Sequence, residues 1–159
     1  MKAIFILILL IPTLVFGQSI SRDGVDEFSG RLVIQTESIR IGHEGFSGEV
    51  ELSFAYIGGD IMMLIMLTSR DSWQLTRAQS IAMIIDERRE TFDLNRLNTK
   101  VFRGGVYESH IVFLNPELLL AISEAGDVRF RANRNIFTLN NKAKQSARLL
   151  HDRVLTVIN

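Results

Sequence analysis

Glu108 and His110 stand two residues apart in a stretch, Val106 to Leu114, that reads as a strand, so both side chains leave the same face. A carboxylate beside an imidazole orients the ring and raises its basicity, as in general-base pairs, and it offers two metal ligands. A zinc centre takes about three protein groups, and His43-Glu44 in a glycine-rich stretch are the further ligands on offer. Lys100 or Arg103 can instead neutralise Glu108 in an ordinary ion pair. The three histidines are scattered and lack the spacing of a helical zinc site. No catalytic residue or metal ligand is assigned on this basis. Glu108 and His110 come nearest to a catalytic pair, and His43 and His110 nearest to a ligand pair. No cofactor is expected.

The remaining polar groups point elsewhere. Ser47 lies in Gly45-Phe46-Ser47-Gly48, which lacks the G-x-S-x-G spacing of a nucleophile elbow. Gly104-Gly105 opens a strand, so it has no helix N-terminus with which to hold phosphate. His151 sits near the end of a C-terminal helix, where a charged imidazole suits the negative dipole end. Arg129 and Arg131 project from one face of a strand, and Arg134 sits in the turn after it. Arginine forks grip anions in two-pronged fashion, so these three can form an anion or carboxylate site. The plainer reading is a solvated face paired with Glu49, Glu51 or the Asp86 to Glu90 cluster. Trp73, the single tryptophan, lies in a polar segment, Ser69 to Gln79. Exposed, it is a natural anchor for a partner; tucked under its own loop, it is structural. Trp73, Arg129, Arg131 and Arg134 are therefore the partner-binding candidates.

The elements that carry these residues follow from hydrophobic period. Leu32, Ile34 and Thr36 alternate with Arg31, Val33 and Gln35, which predicts a half-buried strand. Gly42, Gly45 and Gly48 mark a turn region. Val50, Leu52, Phe54 and Tyr56 then alternate with Glu49, Glu51 and Ser53, the cleanest two-residue period in the chain. Gly58-Gly59 predicts a tight hairpin. Ile61 to Leu67 is apolar throughout and reads as a central strand buried on both faces, its methionines filling core gaps.

Ile81 to Ile85 is another strand, and Asp86 to Glu90 a solvated turn after it. Gly104-Gly105 predicts a hairpin or bulge ahead of Val106 to Leu114. Asn115-Pro116-Glu117 opens a helix that Gly126 stops. Val128, Phe130 and Ala132 alternate with Arg129, Arg131 and Asn133, and Ile136 to Leu139 follows as a short strand. The fold class expected is α+β with β predominating: an antiparallel curved sheet or β-sandwich, a short helix near 116–125 and a C-terminal helix near 141–157.

The N-terminus carries an address. Lys2 precedes an apolar run from Ile4 to Phe16, then Gly17 and Gln18. One cation, about 13 apolar residues and small side chains at Val15 and Gly17 form a secretory signal peptide. The run is shorter than the roughly 20 residues that span a bilayer, and Pro12 interrupts it, against a retained anchor. The expected division is a signal peptide over 1–17, a flexible lead-in over 18–27 and a single globular domain over 28–159, with a periplasmic or extracellular destination. Cysteine is absent, which excludes disulfides and cysteine zinc sites. Formal charge is zero, which gives neither the basic face that nucleic acid needs nor a polybasic patch for anionic lipid.

The order Ile84-Ile85-Asp86, Thr91-Phe92-Asp93-Leu94, Val106-Tyr107-Glu108, the helix Pro116 to Ala125, Val128-Arg129-Phe130-Arg131 and Phe137-Thr138-Leu139 before a last helix resembles that of uncharacterised exported bacterial domains of unknown function. The likeness covers roughly residues 84–150. It implies a compact β-rich domain with a helical end, and no activity, substrate or cofactor. A glycine often follows the arginine strand in that pattern, where this chain has Asn133. The function expected is a non-enzymatic exported domain that binds an envelope protein or glycan. The alternatives are a small metal-dependent or hydrolytic enzyme using Glu108 and His110, and a structural subunit that docks its C-terminal helix into an envelope assembly.

Overall fold

Alternation at Val50, Leu52, Phe54 and Tyr56 builds the strand around which the molecule is organised. In the computed structural model, which describes residues 19–45, 47–70 and 73–158, this strand is β5 (Gly48–Ile57), and the first three of those side chains are fully buried. The signal peptide read from the sequence lies outside the described residues. A two-residue turn at Gly58-Gly59, with φ of +59° and +113°, returns the chain into β6 (Asp60–Ser69), with Ile57 opposite Asp60. Only glycine adopts both conformations without strain.

β6 is central, as its composition demands. It pairs on its other side with β10 (Gly105–Leu114), which in turn pairs with β9 (Asn95–Phe102). The β9–β10 turn is Arg103-Gly104, so the hairpin expected at the glycine pair is present. At the opposite edge, β1 (Ile20–Val25) pairs with β2 (Leu32–Thr36), which joins β5, as does the two-residue β3 (Ile39–Arg40). These seven strands form one antiparallel sheet.

Five more strands form a second antiparallel sheet, in the order β4 (Gly42–Glu44), β12 (Asn135–Thr138), β11 (Val128–Ala132), β7 (Ser80–Ile85) and β8 (Arg88–Asp93). Three expectations need correction. Residues 18–27 were expected as a flexible lead-in, yet Ile20–Val25 is a strand, because an edge strand needs only ladder bonds on one side. Ile20 also packs on the core and Asp23 pairs with Arg153 at 2.8 Å. The glycine region at 42–48 is not simply a turn: Gly42–Glu44 crosses to the second sheet and pairs with β12. The turn after β7 is only Asp86-Glu87, with Asp86 at φ +52°, and Arg88, Arg89 and Glu90 belong to β8.

Two helices complete the fold. α1 (Pro116–Glu124) is capped by Asn115, whose Oδ1 accepts from the Leu118 N–H at 2.7 Å, as the Asn-Pro-Glu signature predicts. α2 (Asn141–Ile158) begins with the same device: Asn140 Oδ1 accepts from the Ala143 N–H at 3.0 Å. Lys144 of α2 donates to the carbonyls of Ala125 and Gly126, at 3.0 and 3.1 Å, just past the C-terminus of α1. Among the described residues, no helix is long and apolar enough to cross a membrane.

One core unites both sheets and both helices. Phe54, Met63, Ile65, Phe130, Phe137, Leu119 and Leu150 all lie in it, each at most 1 % exposed, and the Phe130 and Phe137 rings stack with centroids 4.6 Å apart. Each such side chain contributes roughly 1.5–3 kcal/mol on burial. The opposite face of the large sheet holds a separate small cluster, Ala55, Met62 and Ile111 with Ile57 and Leu64. The two-faced apolarity of β6 thus serves the main core with one set of side chains and this outer cluster with the other.

Candidate functional site

Glu108 and His110 share a face of β10, as their spacing dictates, and that face points into the protein. Glu108 is fully buried and His110 is 1 % exposed. Neither Lys100 nor Arg103 pairs with the carboxylate. Its partners come from the loop after β6, more than thirty residues away in sequence. The Leu75 N–H donates to Oε2 at 3.0 Å, the Thr76 hydroxyl donates to Oε2 at 2.7 Å, and the Gln74 N–H donates to Oε1. His110 Nε2 lies 3.3 Å from Oε2. Nε2 therefore carries a hydrogen toward the carboxylate, and Nδ1 has no hydrogen-bond partner among the described residues.

Burial works to raise the Glu108 pKa. The hydrogen bonds from His110, Thr76, Gln74 and Leu75 outweigh it and hold the carboxyl at about 2, against an ordinary 4.5. A carboxylate so low and so fully engaged is a poor proton acceptor. What it does is fasten a loop.

The same loop is gripped from the other sheet. Asn133 Nδ2 donates to the Gln74 carbonyl at 3.3 Å, and Asn135 Nδ2 donates to that carbonyl and to Gln74 Oε1 at 3.4 Å. Leu75 fills the core between them with no exposure. Trp73, the residue just ahead of this fastened turn, is 40 % exposed. The tryptophan considered as an anchor and the glutamate considered as a base therefore belong to one construction.

The other candidates are separate. His43 lies on β4 opposite Phe137, with Nε2 3.0 Å from the Gly48 carbonyl. His151 is buried on α2 with Nδ1 3.1 Å from Asp152 Oδ1. Among the described residues no three histidine, aspartate or glutamate side chains are grouped to hold a metal ion.

Arg129 and Arg131 lie on the outer face of the five-stranded sheet. Arg129 stands opposite Ile84 and Thr138, and Arg131 opposite Ala82 and Ile136. Arg89 of β8 stands opposite Ile84. Ala82 is small where its neighbours are large, and the gap above it opens a trough. One end, about 180 Å³, is lined by Ala82, Ile84, Ile136, Arg89, Arg129 and Arg131. The other, about 390 Å³, is bounded by Arg77 and Asn133 as well as Arg89 and Arg131. Arg129 is neutralised by Asp127 at 2.7 Å, not by the carboxylates expected to pair with it. Glu49 pairs with Arg40, and Glu90 with Arg88. Arg77, Arg89 and Arg131 have no carboxylate partner among the described residues. Arg134 is exposed in the β11–β12 turn and does not line the trough.

No family model, curated relative or solved structure matches this chain.

The site is thus read from its geometry. Arg77 and Arg89 were missed by sequence reasoning, which grouped Arg89 with a solvated turn. A two-residue turn at Asp86-Glu87 would have placed Arg89 directly across from Ile84, beside the arginine strand. Asn133 has φ +56°, the left-handed conformation that a glycine takes freely and that asparagine tolerates best among residues with a side chain. Its side chain then reaches the Gln74 carbonyl, which adds a bond between the turn and the Trp73 loop. Asn133 also borders the trough, which places the loop and the arginines on one continuous surface.

Proposed function

We propose that this chain is exported and acts in the bacterial envelope, in the periplasm or outside the cell, as a non-enzymatic domain that binds an envelope protein or glycan. The leader over 1–17 supports the destination. The observation that carries the binding role is the exposed Trp73 on a loop fastened to both sheets, a loop that also carries Arg77, one of three trough arginines with no carboxylate partner among the described residues. An anchor held in place before binding loses little conformational entropy on docking, and tryptophan and arginine dominate binding energy where it has been dissected. The engagement of both Glu108 oxygens with internal donors supports a structural role for the Glu108–His110 pair.

The test is affinity capture from envelope extract with the wild-type protein, Trp73→Ala and Arg148→Ala, an exposed arginine on α2. Wild type and Arg148→Ala should recover the same specific partner, and Trp73→Ala should lose it while keeping its melting temperature. Equal recovery by Trp73→Ala, or no specific recovery by any form, refutes the reading. N-terminal sequencing of the exported protein should begin at Gln18; an intact leader on protein from the cytosol refutes the destination.

A further inference from the structure

We propose that the trough on the five-stranded sheet binds a phosphate group carried on a small apolar body, such as an aryl or short-chain phosphomonoester. This rests on the reading of the chain as a binding domain and names the chemistry that one part of its surface takes.

Arg131 on β11 and Arg89 on β8 flank β7 from its two sides and share one face of the sheet. Arg131 faces Ala82 directly, and Arg89 is diagonal to the same alanine, so both guanidinium groups border one small-residue gap. Arg77 closes the far end beside Ser80 and Asn133. Among the described residues, the acidic groups nearby form no ion pair with them. Asp127 is taken by Arg129, Glu44 stands beyond Ile136 at the far edge, and Asp93 lies opposite Ser80 outside the lining. In a chain with zero formal charge, this is a local excess of cation that an external anion would offset.

The choice of anion follows from the forks. A carboxylate has a single two-oxygen edge for one fork, while the three terminal oxygens of a phosphomonoester give each of two arginines approaching from different strands a two-oxygen edge of its own. The choice of body follows from the floor. Ala82, Ile84 and Ile136 line the end of the trough at which Arg89, Arg129 and Arg131 converge, so an apolar group next to the phosphate loses contact with water there.

Backbone amide shifts of the purified protein, titrated at low ionic strength with phenyl phosphate, inorganic phosphate and benzoate, test this. Phenyl phosphate should move the Ala82, Ile84, Arg131 and Ile136 amides saturably, and bind at least about fivefold more tightly than either other probe. Arg89→Ala and Arg131→Ala should each weaken it about tenfold, the worth of one charge-assisted fork. Arg131→Lys, which keeps the charge and loses the fork, should fall between, and Arg148→Ala should bind as wild type. The proposal is overturned by absence of saturable shifts up to about 20 mM, by wild-type binding in Arg131→Ala, or by benzoate or inorganic phosphate binding as tightly as phenyl phosphate. Phosphate binding without an envelope partner would refute the proposed function alone, and partner capture through Trp73 without phosphate binding would refute this inference alone.

Discussion

Replacing Glu108 by alanine is the most informative single perturbation of this fold. The carboxylate accepts from Gln74, Leu75, Thr76 and His110. Gln74 and Thr76 are half-buried, so water can replace what they lose. Leu75 and His110 are at most 1 % exposed, and their donors would be stranded. Each stranded buried donor costs about 1–3 kcal/mol, so the two together cost about 4 kcal/mol. That is a large share of the roughly 5–15 kcal/mol by which a domain is stable. With a urea dependence of about 2 kcal/mol per molar, the unfolding midpoint should fall by about 2 M. Hydrogen exchange supplies the local readout: the Leu75 amide should be strongly protected in the wild type and lose that protection in Glu108→Ala. A midpoint shift under about 0.5 M with Leu75 still protected would refute the claim that this carboxylate fastens the loop.

Acid should reveal the same bond without mutation. Glu108 ionises at about 2 in the folded protein against 4.5 ordinarily, so its contribution is complete above pH 4.5 and disappears as pH falls through about 2. The difference corresponds to about 3 kcal/mol. Urea midpoints between pH 5 and pH 2 should show that loss in the wild type and a flatter profile in Glu108→Gln; parallel profiles would refute the assignment. Gly105→Ala should destabilise by about 1–3 kcal/mol, since a Cβ there would press into the Ser69 carbonyl of the neighbouring strand. Gly24→Ala, with open space at the same position of its residue, should change the melting temperature little, and equal shifts in the two variants would refute the steric account.

Much of the architecture was legible because it is written in local pattern. The β5 alternation, the Gly58-Gly59 turn, the Asn115 cap and the strand carrying Arg129 and Arg131 each depend on residues within one turn or one hairpin. β1 and β4 were not legible, because their pairing is made by backbone groups that composition does not mark: Arg22, Asp23, Gly24, Gly42 and Glu44 have little strand preference. The division into two sheets depends on Ile41, where the chain leaves one sheet for the other, and an isoleucine announces no such step.

The candidate site was legible in its parts and not in its assembly. Trp73, Glu108, Arg129 and Arg131 were each singled out. Nothing in the sequence links Glu108 to Leu75, since 33 residues separate them and hydrogen bonds to backbone N–H groups leave no residue-type signature. Glu108 looked like chemistry because a buried carboxylate and a catalytic one are drawn from the same residue type and spacing.

Gln74 is held by a carboxylate from the seven-stranded sheet and by two amides from the five-stranded one. A rivet of this kind resists sliding of one layer across the other, because any shear stretches short polar bonds before it disturbs the greasy interior. Pulled from its two ends, the domain should therefore yield in a single rupture, with both layers parting together.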